Sequence, residues 1–251
     1  MILRVTPLRQ GVALFFAPSP KVAAYIFELL INSFLFFFEY MSDPYTRPHE
    51  RNMQEAKAMH NESIRYLIVP GWQGSADDHW QTHWQNSLPN SVRVEQADWL
   101  KPRREDWVGE LQRVIASDSS PVILIAHSLG CVTVAHWAQL APLASLRQVR
   151  GALLVAPADV ERPNCPPAIR NFAPIPEHLL PFPTQVVSSD NDSAVSALRA
   201  MEMARNWGAE IGILSGAGHI NVKSGHQRWE QGFAYLYRLQ GRIEHFNRRR
   251  A

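Results

Sequence analysis

Cysteine is scarce: Cys131 and Cys165 are the whole supply. Two thiols do not make a disulfide framework. Neither sits in a C-x-x-C pair or a similar spacing, so a cysteine-type zinc site is excluded. Free thiols in a reducing compartment are expected, and with them a cytoplasmic location. An excess of either charge is also missing, because 25 Lys and Arg against 23 Asp and Glu leave a net charge of only +2. That is too little to draw nucleic acid or an acidic membrane surface as a partner. Residues 242–251, ending in Arg248-Arg249-Arg250-Ala251, read as a short, solvated basic tail. There is no H-E-x-x-H pattern. His79 and His83 stand four apart beside Asp77 and Asp78, but no third ligand is evident and no metal is expected.

No apolar run is long enough for a bilayer. Residues 29–38 are mostly apolar and densest at Phe34-Leu35-Phe36-Phe37-Phe38, about half the length a span requires. Glu28 interrupts the run upstream, and Pro20 and Lys21 precede it. As a signal peptide the stretch is misplaced and lacks a small-residue cleavage site. Residues 1–63 therefore have three competing readings: a membrane-associating helix, a packing appendage, or upstream sequence translated from a start codon set too early. Internal Met41, Met53 and Met59 favour the third. Residues 41–63 are polar, contain Pro44 and Pro48, and read as a linker.

What remains, residues 64–241, has a regular pattern. Apolar residues make up 46% of the 251, enough for a sizeable core. Strand-like runs at 66–69, 92–94, 122–125, 151–155, 185–187 and 211–214 alternate with helix-like segments at 77–88, 105–115, 132–140 and 195–207. A last amphipathic helix is expected to carry Trp229, Phe233, Leu236 and Leu239. Residues 156–183 hold eight prolines and no periodicity, the mark of an irregular excursion. The fold class is α/β: a mainly parallel sheet of about six strands covered by helices on both faces. In such sheets ligands sit at the carboxyl ends of strands where the strand order reverses. A strand order starting 2-1-3 would set the loop at Pro70-Gly71-Trp72 beside the end of the third strand.

That third strand ends in Ala126-His127-Ser128-Leu129-Gly130. A buried strand, a tight turn with serine at its apex and a following helix form the setting of a nucleophile elbow. Ala126 replaces the usual first glycine and is still small. The competing reading is a serine that merely caps the helix. A hydroxyl needs a base to become a nucleophile. His219, in the loop after the sixth strand, is the candidate, against a loop histidine in solvent. The orienting acid is Asp190 or Asp192, both after the fifth strand. Asp192 lies just before a helix and could be its cap, which favours Asp190. The backbone N–H groups of Leu129 and Trp72 are the candidate oxyanion donors, with Gly71 allowing close backbone approach. The Trp72 indole could wall an acyl pocket or sit in the core.

Six motifs in order strengthen this picture: Pro70-Gly71-Trp72; Asp78-His79-Trp80; Gln96-Ala97-Asp98-Trp99; Ala126-His127-Ser128-Leu129-Gly130; Ser189-Asp190-Asn191-Asp192; and Gly218-His219-Ile220-Asn221 followed by Ser224-Gly225. Over residues 64–239 the chain resembles the small α/β-hydrolases related to retinoblastoma-binding protein nine, in particular their bacterial branch. The resemblance implies an α/β-hydrolase-like three-layer sandwich without a large lid. It also implies a Ser-Asp-His serine hydrolase without metal or organic cofactor, acting on a small-molecule ester through an acyl-enzyme, with amides or thioesters as lesser options. The family's acid stands in an Asp-Pro-Tyr-like context. Asn191-Asp192-Ser193 matches that position without the proline and tyrosine, which moves the choice of acid to Asp192 and keeps Asp190 as the alternative. Gly71, Trp72, His127, Phe172 and Ile175 are expected around the substrate, the last two from an apolar wall in the proline-rich segment. A binding or regulatory module on a hydrolase scaffold is the rival class, since fold does not dictate function.

Overall fold

The computed structural model describes residues 64–248; the readings offered for residues 1–63 lie outside them. Six strands, β1 (Arg65–Val69), β2 (Ser91–Arg93), β3 (Val122–His127), β4 (Val149–Val155), β5 (Thr184–Ser189) and β6 (Glu210–Leu214), form one sheet. Their order is β2-β1-β3-β4-β5-β6, and every neighbouring pair is parallel. Around them lie α1 (Trp80–Ser87), α2 (Arg104–Ala116), α3 (Leu129–Leu140), α4 (Leu143–Gln148), α5 (Ala197–Asn206) and α6 (Phe233–Arg248).

The apolar runs are continuous because these strands are buried on both faces. The pleat divides their side chains between two cores. Leu67, Val69, Leu124, Ala126 and Leu154 pack with Trp107, Leu111, Val134, Trp137 and Trp207 from α2, α3 and the end of α5. Tyr66, Ile68, Ile123, Ile125 and Leu153 pack with Trp80 and Trp84 of α1 and with Leu236, Leu239 and Ile243 of α6. The result is three layers.

Strand order reverses between β1 and β3, as the 2-1-3 expectation required. Their register pairs Val69 with Ala126, so the two strands end level. The following loops then meet with almost no space to spare. A methyl group on Gly130 would lie 2.4 Å from the Val69 carbonyl oxygen and 2.7 Å from that of Pro70. A methyl group on Gly71 would lie 2.7 Å from Ser128 Cβ. The fully buried Gln81 closes this crevice from below: its Nε2 donates to the carbonyls of Val69 at 3.2 Å and Ile125 at 3.0 Å, and its Oε1 accepts from Ser75 Oγ at 2.7 Å.

Three features depart from the sequence reading. Trp229 is not on the last helix. It precedes α6 in a left-handed conformation, φ 43°, stacked on Trp84 with ring centres 5.6 Å apart. Residues 242–248 are not a tail but continue α6. Ile243 is buried against Gly151, and Arg242 donates to the Thr184 carbonyl at 2.9 Å and pairs with Glu210 at 3.1 Å. The short α4 was not expected, since six residues are too few to show a helical period. The proline-rich excursion, by contrast, is irregular as expected: it contains one 3₁₀ turn, Pro167–Phe172, and no α-helix, so it forms no large helical lid.

Gly130→Ala is expected to lower the unfolding free energy by about 3 kcal/mol, because the clash is with backbone that cannot move away. Gly109→Ala, in the middle of α2 with open space around the added methyl, is expected to raise it by roughly 0.5–1 kcal/mol. Urea titration of the two variants beside the parent chain measures both.

Candidate active site

Ser128 sits between β3 and α3 with φ 55° and ψ −121°. A non-glycine residue in this region stores strain of about 1–3 kcal/mol and persists only where its surroundings fix it. Here Ser128 N–H donates to the Val155 carbonyl at 2.9 Å, and the Ser128 carbonyl accepts from Cys131 N–H at 3.0 Å and Ala158 N–H at 3.3 Å. The side chain makes no helix-capping hydrogen bond. Its Oγ lies instead 2.9 Å from His219 Nε2.

The other ring nitrogen, His219 Nδ1, is 2.8 Å from Asp192 Oδ2. The Asp192 side chain is fully shielded from solvent, and its second oxygen accepts from Ala194 N–H at 2.7 Å. An ionised carboxylate can only accept, so the imidazole proton is on Nδ1 and the Nε2 lone pair faces the serine hydroxyl. Hydroxyl, imidazole and carboxylate thus form one hydrogen-bonded line. Asp190 is not part of it. Its exposed carboxylate accepts from Gly216 N–H at 2.8 Å and Ser215 Oγ at 3.0 Å, and these donors hold its pKa below the usual carboxylate range.

Two neighbours of these acids, Ser189 at the end of β5 and Asn191 between the two, complete a seam. Ser189 Oγ accepts from Ala217 N–H at 2.9 Å and donates to Asn191 Oδ1 at 2.8 Å. Asn191 Oδ1 also accepts from Gly218 N–H at 2.7 Å. Four successive side chains, residues 189 to 192, therefore bind the loop that carries His219.

Gly71 borders the serine. The site a Gly71 Cβ would occupy is 3.3 Å from Ser128 Oγ. Trp72 is half-buried and donates from its indole to the Leu100 carbonyl at 3.0 Å, bracing its loop against the 98–101 loop. Leu129 is the first residue of α3, so its N–H has no acceptor within the helix.

The other three expected pocket residues lie elsewhere. His127 is 5% exposed and points beneath the site, its Nε2 2.9 Å from the His219 carbonyl oxygen. Phe172 is wholly in the core, with ring centres 5.7 Å from Trp107 and 6.5 Å from His136. Ile175 borders a cavity of about 880 Å³ shared with Val108, His136 and Trp137, which neither Ser128 nor His219 lines. The prolines turn the segment inward and direct its apolar side chains onto α2 and α3. A cavity of about 710 Å³ does border Asp192, and Asp159, Arg162 and Arg199 give it a charged wall.

Behind His127 lies His79, the N-cap of α1, whose Nδ1 accepts from Gln81 N–H at 3.2 Å. Burial and the charge of Arg93 lower the His79 pKa to about 4, against an opposing effect of Asp78 and with a smaller lowering effect of His219. Burial first, then His219 and His79, push His127 well below the ordinary histidine value. His79 is thus a buried helix cap. Among the described residues no three His, Cys, Asp or Glu side chains are grouped to hold a metal ion.

The family model described as serine hydrolase matches residues 66–238. This chain belongs to the serine hydrolase family. That agrees with the sequence resemblance to small hydrolases related to retinoblastoma-binding protein nine. Among solved structures, a YdeN-like hydrolase from Pectobacterium atrosepticum is 30% identical, with a TM-score of 0.63 over 75% of this chain and 96% of its own. The ydeN gene product of B. subtilis is 18% identical, with a TM-score of 0.58 over 71% of this chain and 100% of its own. Est1E from Butyrivibrio proteoclasticus is 12% identical, with a TM-score of 0.56 over 73% of this chain and 90% of its own, a likeness of fold. No curated protein matches by sequence. Among the described residues of this serine hydrolase no helix is long and apolar enough to cross a membrane.

The buried histidines give the serine hydrolase a pH-dependent stability. His79 titrates near 6.5 when unfolded and at about 4 when folded. Between these values the unfolded chain binds more protons, so stability falls as pH drops through the window, by roughly 3 kcal/mol for this group. His127 acts in the same direction. Urea titrations from pH 7 to 4 are expected to show the decline, and His79→Asn, which keeps a capping acceptor, is expected to flatten it.

Proposed function

We propose that this serine hydrolase cleaves small carboxylic esters through an acyl-enzyme, with amides and thioesters as poorer substrates. The observation that carries the reading is the unbroken line from Ser128 Oγ through His219 to the buried Asp192 carboxylate. Ser128 Oγ attacks the ester carbonyl carbon while its proton passes to His219 Nε2. Asp192 keeps the ring in the required tautomer and stabilises the imidazolium. The N–H groups of Leu129 and Trp72 receive the charge that develops on the carbonyl oxygen. The intermediate collapses, the leaving alcohol takes the proton from His219, and an acyl ester on Ser128 remains. Water, deprotonated by His219, then attacks the acyl carbon, and as the bond to Ser128 Oγ breaks His219 returns the proton to Oγ and the acid is freed. None of these steps requires a group from outside the chain. Cys131 and Cys165, both free and buried, support a reducing, cytoplasmic setting.

A fluorophosphonate probe is expected to label the parent chain and not Ser128→Ala. Labelling that survives the substitution removes Ser128 from the mechanism, and a parent chain that neither labels nor turns over short-chain p-nitrophenyl esters favours a binding module instead. Asp192→Asn is expected to reduce kcat by about 10³–10⁴-fold, since the amide reverses the tautomer preference. Asp190→Asn should change it by less than about tenfold, in keeping with a bracing role away from the imidazole.

A further inference from the structure

We infer that His127 is a positioning residue: by donating from Nε2 to the His219 carbonyl, it sets the height of the His219 imidazole over Ser128. The inference rests on the reading of His219 as the base and adds how that base is held.

The loop carrying His219 does not hold its shape through regular structure. Ile220, a β-branched residue, has φ 47°, a conformation that costs free energy and needs support from outside. Two ring N–H groups provide it on consecutive carbonyls. Trp80 Nε1 donates to the Ile220 carbonyl at 3.0 Å. His127 Nε2 lies 2.9 Å from the His219 carbonyl oxygen, and because a carbonyl only accepts, the His127 proton is on Nε2. The His127 ring cannot swing away. The rings of His79 at 4.9 Å, His219 at 5.0 Å and Trp80 at 5.9 Å surround it. It also immediately precedes Ser128 in the chain, so nucleophile and base are referred to the same short piece of backbone. A substrate-contacting role is excluded by its burial. A pure packing role would be filled equally well by phenylalanine, and it is the directed N–H that phenylalanine lacks.

The test uses the full chain with His127→Phe, His127→Gln and His127→Asn. Glutamine carries an N–H at the reach of Nε2; asparagine is too short. One readout is kcat and KM on p-nitrophenyl acetate. The other is the far-downfield proton resonance of His219 Nδ1–H bonded to Asp192, which needs no turnover. His127→Phe is expected to lose about 100-fold in kcat, the scale of an ångström-sized misplacement, with KM nearly constant and the resonance broadened or lost. His127→Gln is expected to recover most of both, and His127→Asn to behave like the phenylalanine variant. Parent-like kcat and resonance in His127→Phe, or equal behaviour of glutamine and asparagine, overturns the inference. If the phenylalanine variant does not fold, the glutamine–asparagine comparison decides. A parent chain inert towards esters ends the esterase reading, while the resonance still reports on His127.

Discussion

Everything at the candidate site depends on the level ending of β1 and β3. With Val69 opposite Ala126, the first residues of α3 pass under the loop from β1 at a distance only a hydrogen atom fits. That contact does two things together. It presses the chain at Ser128 into a left-handed conformation, lifting the hydroxyl off the sheet. It also brings Gly71 alongside that hydroxyl, so two parts of the candidate site arrive from segments more than fifty residues apart. Gln81 secures the same junction from inside by bonding one carbonyl of each strand.

The imidazole of the line is supplied differently. No strand register places His219; it is carried on a loop and held by side chains. From one side, residues 189 to 192 accept from it in sequence. From below, buried ring N–H groups take its carbonyls. Hydrogen bonds of this kind are worth only about 0.5–1.5 kcal/mol each, so their number matters more than any one of them. A loop pinned at six or so points has little freedom to move the imidazole by the fraction of an ångström that would break the line to Ser128.

The sequence made the sheet readable because strands buried on both faces leave uninterrupted β-branched runs, and because the elbow, acid and base fall in chain order at strand ends. It gave no such help where a side chain's direction depends on distant packing. Asp190 and Asp192 are equally good carboxylates two residues apart, and which one faces His219 is decided by the twist of a turn. Phe172 and Ile175 stand in a stretch without period, where prolines rather than alternation choose inside from outside. The end of α6 looked like a tail because charges dominate its sequence, while the burial of Ile243 depends on a distant glycine in β4. His127 looked like a pocket residue because it neighbours Ser128, and its partner is 92 residues away.

An all-parallel sheet has no hairpins, and its order here follows the chain from β3 to β6. During synthesis the elbow therefore leaves the ribosome long before the strand and loop that bring the base. A nascent chain ending anywhere short of residue 219 carries the serine with no imidazole to take its proton. One ending before α6 leaves one face of the sheet covered only in part, by α1. In the proposed mechanism hydrolytic competence thus waits for residue 219, and a product cut short of it is inert rather than unregulated.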